Sequence, residues 1–290
     1  MVVMTSTLRP LLGAFFVGIA VAMLRLSSTS ALIAAIGHAG NVAVTAYTIH
    51  GGVLGALKRA AERGARVEVR LDGKPFADKK GHLASENRRL VAAMRAAGID
   101  AKLDHPLHSK AINVDGSLFL DEKNFDGDGD IVVREDDSEA AKSIASTKTD
   151  ALAREGALLG NAGDDAIAET ETFGRFNPVS AALDRLGRQG KAPRLLVSAK
   201  ILSSTPRERA ALQKLVDDGV RVRVCDDSAK LAVAGNRVWL GSANATVAYR
   251  GFDMPDWGTC TSDAEIVEAV RDRLEACWAH ARELRPLPVA

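Results

Sequence analysis

Cysteine is scarce in this chain. The three residues, Cys225, Cys260 and Cys277, lie at no spacing that suits a metal, so they read as small, buried apolar side chains. Excess charge of one sign is also missing. The net charge of +1 gives no bulk electrostatic argument for nucleic acid or an anionic membrane, so any anion site must be local. Aromatics make up 4% of the residues, and Ala, Leu, Val and Gly supply most of the apolar content. The acidic run Asp126, Asp128 and Asp130 (DGDGD) lacks the closing Glu of a calcium loop, so it reads as turn chemistry and no metal is expected.

No apolar run reaches the length of about 20 residues needed to span a bilayer. The nearest is Pro10 to Leu24, uncharged and bracketed by Arg9 and Arg25. Its length suits the core of a signal peptide or a short anchor, with Ala20-Val21-Ala22 as a small-residue cleavage pattern. Residues 1–25 are therefore expected to export the chain or tether it to a membrane. The remainder, 47% hydrophobic and 26% charged across the whole chain, suits a globular protein with a large core.

The rest of the chain repeats itself. From Ser30, helix-like and strand-like segments alternate: Ala31–Ala39, Asn41–Thr48, Gly52–Gly64, Ala65–Leu71, Leu83–Gly98 and Ile99–Leu103. From Asn177 the rhythm returns: Val179–Gly187, Arg194–Leu202, Pro206–Gly219 and Val220–Val224. The stretches AAERGARVEVRLDG and LVDDGVRVRVCDD read as the same slot in two copies of one unit. The expected fold class is α/β: two half-domains with mixed, largely parallel sheets packed into one core. Half one is expected over 26–150, a connector over 151–176, and half two over 177–290.

Each copy ends in its most informative stretch. Half one carries His108-Ser109-Lys110, then Asp115-Gly116, then a strand to Asn124. Half two carries Ser228-Ala229-Lys230, Gly235 in the Asp position, then Gly241-Ser242-Ala243-Asn244. The interval from Lys110 to Asn124 equals that from Lys230 to Asn244. Beyond each lies a strand led by an acid, Asp130 or Asp256. On a strand, an H-x-K pair shares one face, which offers one phosphate both a nucleophile and a cation.

H-x-K-x4-D followed by a G-S-x-N-like strand end resembles the signature of the phospholipase D superfamily, over roughly residues 30–285. The resemblance implies two halves about a pseudo-twofold axis, so that the chain is a monomer with pseudo-dimeric halves and one shared pocket. It implies catalytic roles for His108, Lys110, Asp115 and Lys230, and phosphate-binding roles for Asn124, Ser242 and Asn244. It implies supporting roles for Asp130, Asp256 and Ser228, with Asp130 in the place of an acid that fixes the His tautomer. No cofactor is implied. The implied chemistry is ping-pong transfer through a phosphohistidine on His108, with donors preorganised for charge at phosphorus.

The departures from that pattern lie mostly in half two, where Ser228 stands for the second His and Gly235 for the second Asp. In half one, Asp121-Glu122-Lys123 stands where small residues are usual. Serine does not shuttle protons near neutral pH, and general acid–base catalysis contributes about 10²–10⁴-fold. Three readings follow. The acid comes from Asp226, Asp227, His105 or His50; two chains pair their intact halves; or the site only binds phosphate. The leading expectation is a phosphodiesterase that cleaves or transfers a phospholipid headgroup at a membrane surface. A single-strand nuclease, less favoured by the charge, and a non-catalytic phosphate- or lipid-binding module are the alternatives.

Overall fold

The computed structural model describes residues 23–284 apart from 76, 77, 79, 126, 128, 145, 201–205 and 248–252. Most of the expected signal peptide or anchor, and Asp126 and Asp128 of the acidic run, lie outside the described residues. Among the described residues no helix is long and apolar enough to cross a membrane.

Half one runs β1 (Arg25–Ser27), α1 (Thr29–His38), β2 (Asn41–Ala46), α2 (Gly51–Glu62), β3 (Arg66–Asp72), α3 (His82–Ala96), β4 (Asp100–Asp104), β5 (Lys110–Val114), β6 (Ser117–Asp121), β7 (Val132–Glu135) and α4 (Ser138–Ala141). Half two runs α5 (Lys148–Gly160), β8 (Ile167–Thr170), α6 (Pro178–Arg188), β9 (Arg194–Ser198), α7 (Pro206–Asp217), β10 (Arg221–Cys225), β11 (Leu231–Ala234), β12 (Arg237–Gly241), β13 (Gly258–Thr261), α8 (Ala264–His280) and β14 (Arg282–Glu283).

The two seven-stranded sheets have the orders β1-β7-β6-β5-β2-β3-β4 and β13-β12-β11-β8-β9-β10-β14. Six consecutive positions correspond, from β7 through β4 with β13 through β10. The duplication read from the sequence is therefore present as topology. The sheets are mixed, as expected, but their parallel part is confined to β2-β3-β4 and β8-β9-β10, where helices make the crossovers. The remaining pairings are antiparallel.

Three sequence expectations shift. Residues 151–176 do more than connect: they supply most of α5 and all of β8, a central strand of the second sheet. With β8 in place, β9 corresponds to β3 and β10 to β4. AAERGARVEVRLDG and LVDDGVRVRVCDD are therefore neighbouring units of the repeat rather than the same slot. Finally, Arg25 belongs to the fold, because β1 pairs with β7 and Leu24 is buried.

The halves join through an apolar layer between the sheets. Leu120 and Val133 of half one pack with Leu196, Leu231, Leu240 and Trp257 of half two and with Ile266, Val270 and Leu274 of α8. This layer carries the two motif strands, β5 and β11, toward a common site.

Candidate active site

β5 begins at Lys110, and His108 lies just before it, outside any regular element. That segment is tied to half two: His108 N donates to Pro255 O at 3.2 Å, and Ser109 Oγ donates to the same carbonyl at 3.1 Å. Asp72 is buried at the end of β3. It accepts from Leu107 N at 2.9 Å and lies 3.1 Å from His105 Nδ1, which steadies the approach to His108.

The partner of His108 is Asp256, not Asp130. His108 Nδ1 lies 2.7 Å from Asp256 Oδ1 across the half-domain boundary. Asp256 in turn accepts from Ser242 Oγ at 2.6 Å, and Ser242 Oγ accepts from Trp257 N at 2.9 Å. Both of these partners of Ser242 are internal and the residue is fully buried, so it positions the carboxylate and leaves phosphate to other donors. Gly241 is required beside it, because a Cβ there would lie 2.5 Å from the Trp239 ring and 2.6 Å from Trp257 O.

An ionised Asp256 accepting from Nδ1–H fixes the tautomer that leaves a lone pair on Nε2. Burial, together with the charges of Lys110 and Lys230, holds the His108 pKa below its ordinary value against the opposing pull of Asp256. Burial pushes the Asp256 carboxyl up, but its hydrogen bonds with His108 and Ser242 and the charge of Lys110 hold it low. The lowered pKa weights the imidazole toward its neutral form. Tyr47 packs edge-on against it with ring centroids 4.9 Å apart.

The cations come from both halves. Lys110 Nζ lies 3.2 Å from His108 Nε2 and donates to His108 O at 2.6 Å. Lys230 Nζ repeats the contact, donating to Ser228 O at 2.6 Å. Both lysines are buried. Burial, followed by repulsion from Lys230, brings the Lys110 pKa down to about 7. Two buried like charges close enough to affect each other would be relieved by an anion between them. Glu171, which follows β8 as Tyr47 follows β2, lies 3.7 Å from Lys230 and 3.4 Å from Lys200. Asn244 Oδ1 accepts from Thr172 N at 3.3 Å, and Asn124 Oδ1 is buried without a hydrogen-bond partner.

Asp115 is not at this site. It sits in the β5–β6 turn with φ of 49°, and its carboxylate accepts from Gly40 N and Asn41 N at 3.1 and 2.8 Å, holding the start of β2. In half two Asp165 does the same work from the other side, accepting from Gly235 N at 3.0 Å. The Asp-to-Gly exchange between the motifs therefore moves a structural carboxylate and removes no catalytic one.

The place of the second His is filled by ion pairs. Lys123 Nζ lies 3.3 Å from Asp130 Oδ1 and 2.8 Å from Asp227 Oδ1, and Arg273 pairs with Asp227 as well. Glu122 Oε1 accepts from Ile131 N at 3.1 Å, as Ser242 accepts from Trp257 N in the other half. Burial, then the neighbouring Asp121, pushes the Glu122 pKa well up, and burial raises that of Asp121 as well. Although Glu169, Asp227 and Cys277 place ligand atoms within 4.8 Å of one another, Lys123 and Arg273 already neutralise Asp227.

None of the substitute acids faces His108 from half two. Burial raises the Asp227 pKa, but Lys123 and Arg273 bring it down to about 2. Asp226 is exposed. His105 and His50 belong to half one, the first beside Asp72 and the second 3.7 Å from Glu86. Two residues of the site, Tyr47 and Lys148, escape sequence reasoning. The Lys148 ammonium donates to Thr246 Oγ1, and burial lowers its pKa while Asp256 and Asp253 oppose that. Lys148 carries no motif signal. Tyr47 is detectable only as the residue ending a strand that pairs with β5.

No family model and no curated protein matches the sequence. Solved structures do. A phosphatidylserine synthase from Haemophilus influenzae Rd KW20 aligns with 91% of this chain and 88% of its own, with a TM-score of 0.63 and 12% identity. A polyphosphate kinase from Porphyromonas gingivalis aligns with 92% of this chain, with a TM-score of 0.57 and 16% identity, and this chain spans 52% of its length. Nuc, a phospholipase D family member from Salmonella typhimurium, aligns with 46% of this chain and 89% of its own, with a TM-score of 0.41 and 15% identity. This chain shares its fold with the synthase and the kinase, the two structures that align with most of it.

Proposed function

We propose that this chain is a phosphoryl-transfer enzyme in which His108 attacks phosphorus and carries the group as a phosphohistidine. The observation that carries the reading is the His108–Asp256 contact of 2.7 Å made between halves, with Lys110 at the other ring nitrogen. A neutral imidazole held in one tautomer is an activated nucleophile. The two buried lysines balance charge on the phosphoryl oxygens where water is excluded. Lys230 and Asp256 make half two a working part of the site even though it holds no second imidazole.

Two substrate classes fit a phosphoryl carrier of this kind. The names of the two structures that match most of the chain point to one each: a phosphodiester lipid for the synthase and a phosphoanhydride polymer for the kinase. An export or membrane-tethering role for the apolar run that begins at Pro10 would favour the lipid class. The test of the shared chemistry is mass-spectrometric trapping of the covalent intermediate after mixing with either class of substrate. An acid-labile phosphoryl group on His108, absent from His108→Gln, is the expected result. A folded protein that turns substrate over with no adduct on His108, and equally well as His108→Gln, removes the mechanism.

A further inference from the structure

We infer that this site transfers phosphoryl groups between weakly basic oxygens, as in a phosphoanhydride, rather than expelling an alkoxide from a phosphodiester; this rests on His108 being the nucleophile. In-line displacement puts the leaving oxygen on the side of phosphorus away from His108, so a proton donor for it must come from half two. Half two contains one histidine, His280, which ends α8, is exposed and lies 2.8 Å from Ala276 O. Across the pseudo-twofold from His108 stands Ser228.

The carboxyl groups on that side are either held ionised by cations or shut away: Glu169, which burial pushes up to about 7, is 1% exposed in β8 against Asp227 and Cys277. Burial pushes the Glu171 carboxyl up, but Lys230 and Lys200 hold it below its ordinary value, so it is ionised near neutral pH. Asp227 is locked between Lys123 and Arg273. Lys110, with a pKa near 7, can release a proton, but its ammonium lies 3.2 Å from the attacking nitrogen, on the nucleophile's side. Charge stabilisation survives on both sides of the phosphorus, while proton delivery to the leaving oxygen does not.

A phosphate leaving group needs no such proton. The Nε2 lone pair of His108 forms the N–P bond, and the bridging P–O bond breaks with its electron pair remaining on the departing phosphate oxygen. The Nδ1 proton stays on the ring, shared with Asp256. In the second step an anionic phosphate oxygen of the acceptor forms the new P–O bond and the N–P bond breaks. No proton changes hands in either step. Water, by contrast, would need a free base, and the Glu171 carboxylate is held by Lys230 and Lys200, so the phosphoenzyme should outlast contact with water and discharge to an anionic acceptor. Lys110 and Lys230, with Lys148 beside Asp256, supply the cations that a polyanion requires.

The experiment compares three probes on the full wild-type chain: inorganic tripolyphosphate, a methyl aryl phosphodiester with an acidic phenol, and phosphatidylcholine vesicles. Phosphoryl transfer to His108 from tripolyphosphate, and phenol release at least about 10²-fold faster than choline release, are expected, because the missing acid matters for the alkoxide alone. The trapped phosphoenzyme should lose its label faster on adding inorganic phosphate than in buffer. Choline release as fast as phenol release, with His108 labelled, would overturn this inference and leave the phosphohistidine reading intact. No label on His108 from any probe and no turnover would overturn both.

Discussion

Replacing Asp256 by asparagine keeps the shape of the buried side chain and removes its charge. The substitution abolishes a charge-assisted hydrogen bond to His108 Nδ1 at 2.7 Å, with both residues largely out of water. Such bonds contribute about 1.5–3 kcal/mol, which corresponds to a fall in kcat/KM of roughly 10–150-fold. The sign of the pH effect is more diagnostic than the magnitude. Asp256 raises the pKa of His108 and also that of Lys110. The acid limb of kcat/KM reports His108 losing its proton, and the alkaline limb reports Lys110, near 7 in the free enzyme, losing its charge. In Asp256→Asn both pKa values fall, so the whole bell moves toward lower pH. The assay is release of a chromogenic phenol across the pH range, with circular dichroism to confirm folding. An acid limb that moves upward, or limbs that move apart, would refute the assignment of Asp256 as the carboxylate that holds His108.

Lys110→Met is expected to abolish adduct formation and yet raise stability at pH 7 by about 1–4 kcal/mol, read by urea unfolding, because it removes a charge buried against Lys230. The depressed Lys110 pKa means that the unfolded chain binds more protons between about pH 7 and the ordinary lysine value, so the wild type gains stability as pH rises there and the variant does not. Asp115→Ala is expected to cost about 1 kcal/mol by removing the bonds to Gly40 N and Asn41 N while leaving kcat/KM within a few-fold of wild type. Glu155 lies buried in α5, and burial alone pushes its pKa well up, so its stabilising share is complete in acid and disappears as pH rises through the folded value. Glu155→Gln should flatten the alkaline decline in thermal midpoint. Ser228→His alone should not speed release of an alkoxide, because Lys123 holds both Asp130 and Asp227. Ser228→His with Lys123→Ala should do so by up to about 10²–10⁴-fold, measured as choline release.

The sequence makes the doubled architecture legible because its cues are local: glycine-terminated helices such as Gly52–Gly64, alternation in NVAVTAYT, and equal intervals from motif Lys to motif Asn. What it hides is pairing across the molecule. β8 is only four residues, Ile167–Thr170, and carries Glu169. Its face is polar enough to pass for a linker, and without it the repeat slides by one unit. Burial explains the anomaly: Glu169 is 1% exposed and its pKa, raised chiefly by that burial, reaches about 7, which eases the cost of an acid in a strand interior. Closeness in the chain makes Asp130 look like the partner of the imidazole. A pseudo-twofold site instead crosses its partners, and nothing in the spacing of one half alone says so.

That crossing accounts for the distribution of the departures. Every half-two side chain that bears on His108 is of the kind the proposed chemistry needs: Asp256 on Nδ1, Ser242 behind Asp256, and the charge of Lys230. The half-one side chains at the mirrored positions would serve residue 228, and there Glu122 replaces the small hydroxyl while Lys123 takes Asp130. Ser228 and the Asp121–Lys123 run are therefore one change in space, although more than a hundred residues separate them in the chain. The exchange of Asp115 for Gly235 stands apart from it, offset by Asp165 at the far end of the strands. A site that had merely decayed would leave the vacated carboxylates unpaired, at a cost of several kcal/mol each. Here Lys123 and Arg273 satisfy Asp130 and Asp227, while burial pushes the Glu122 pKa well up. The half-one positions that would serve a second imidazole form an ion network, while the cluster of Asp256, Ser242, Lys110 and Lys230 around His108 stays whole.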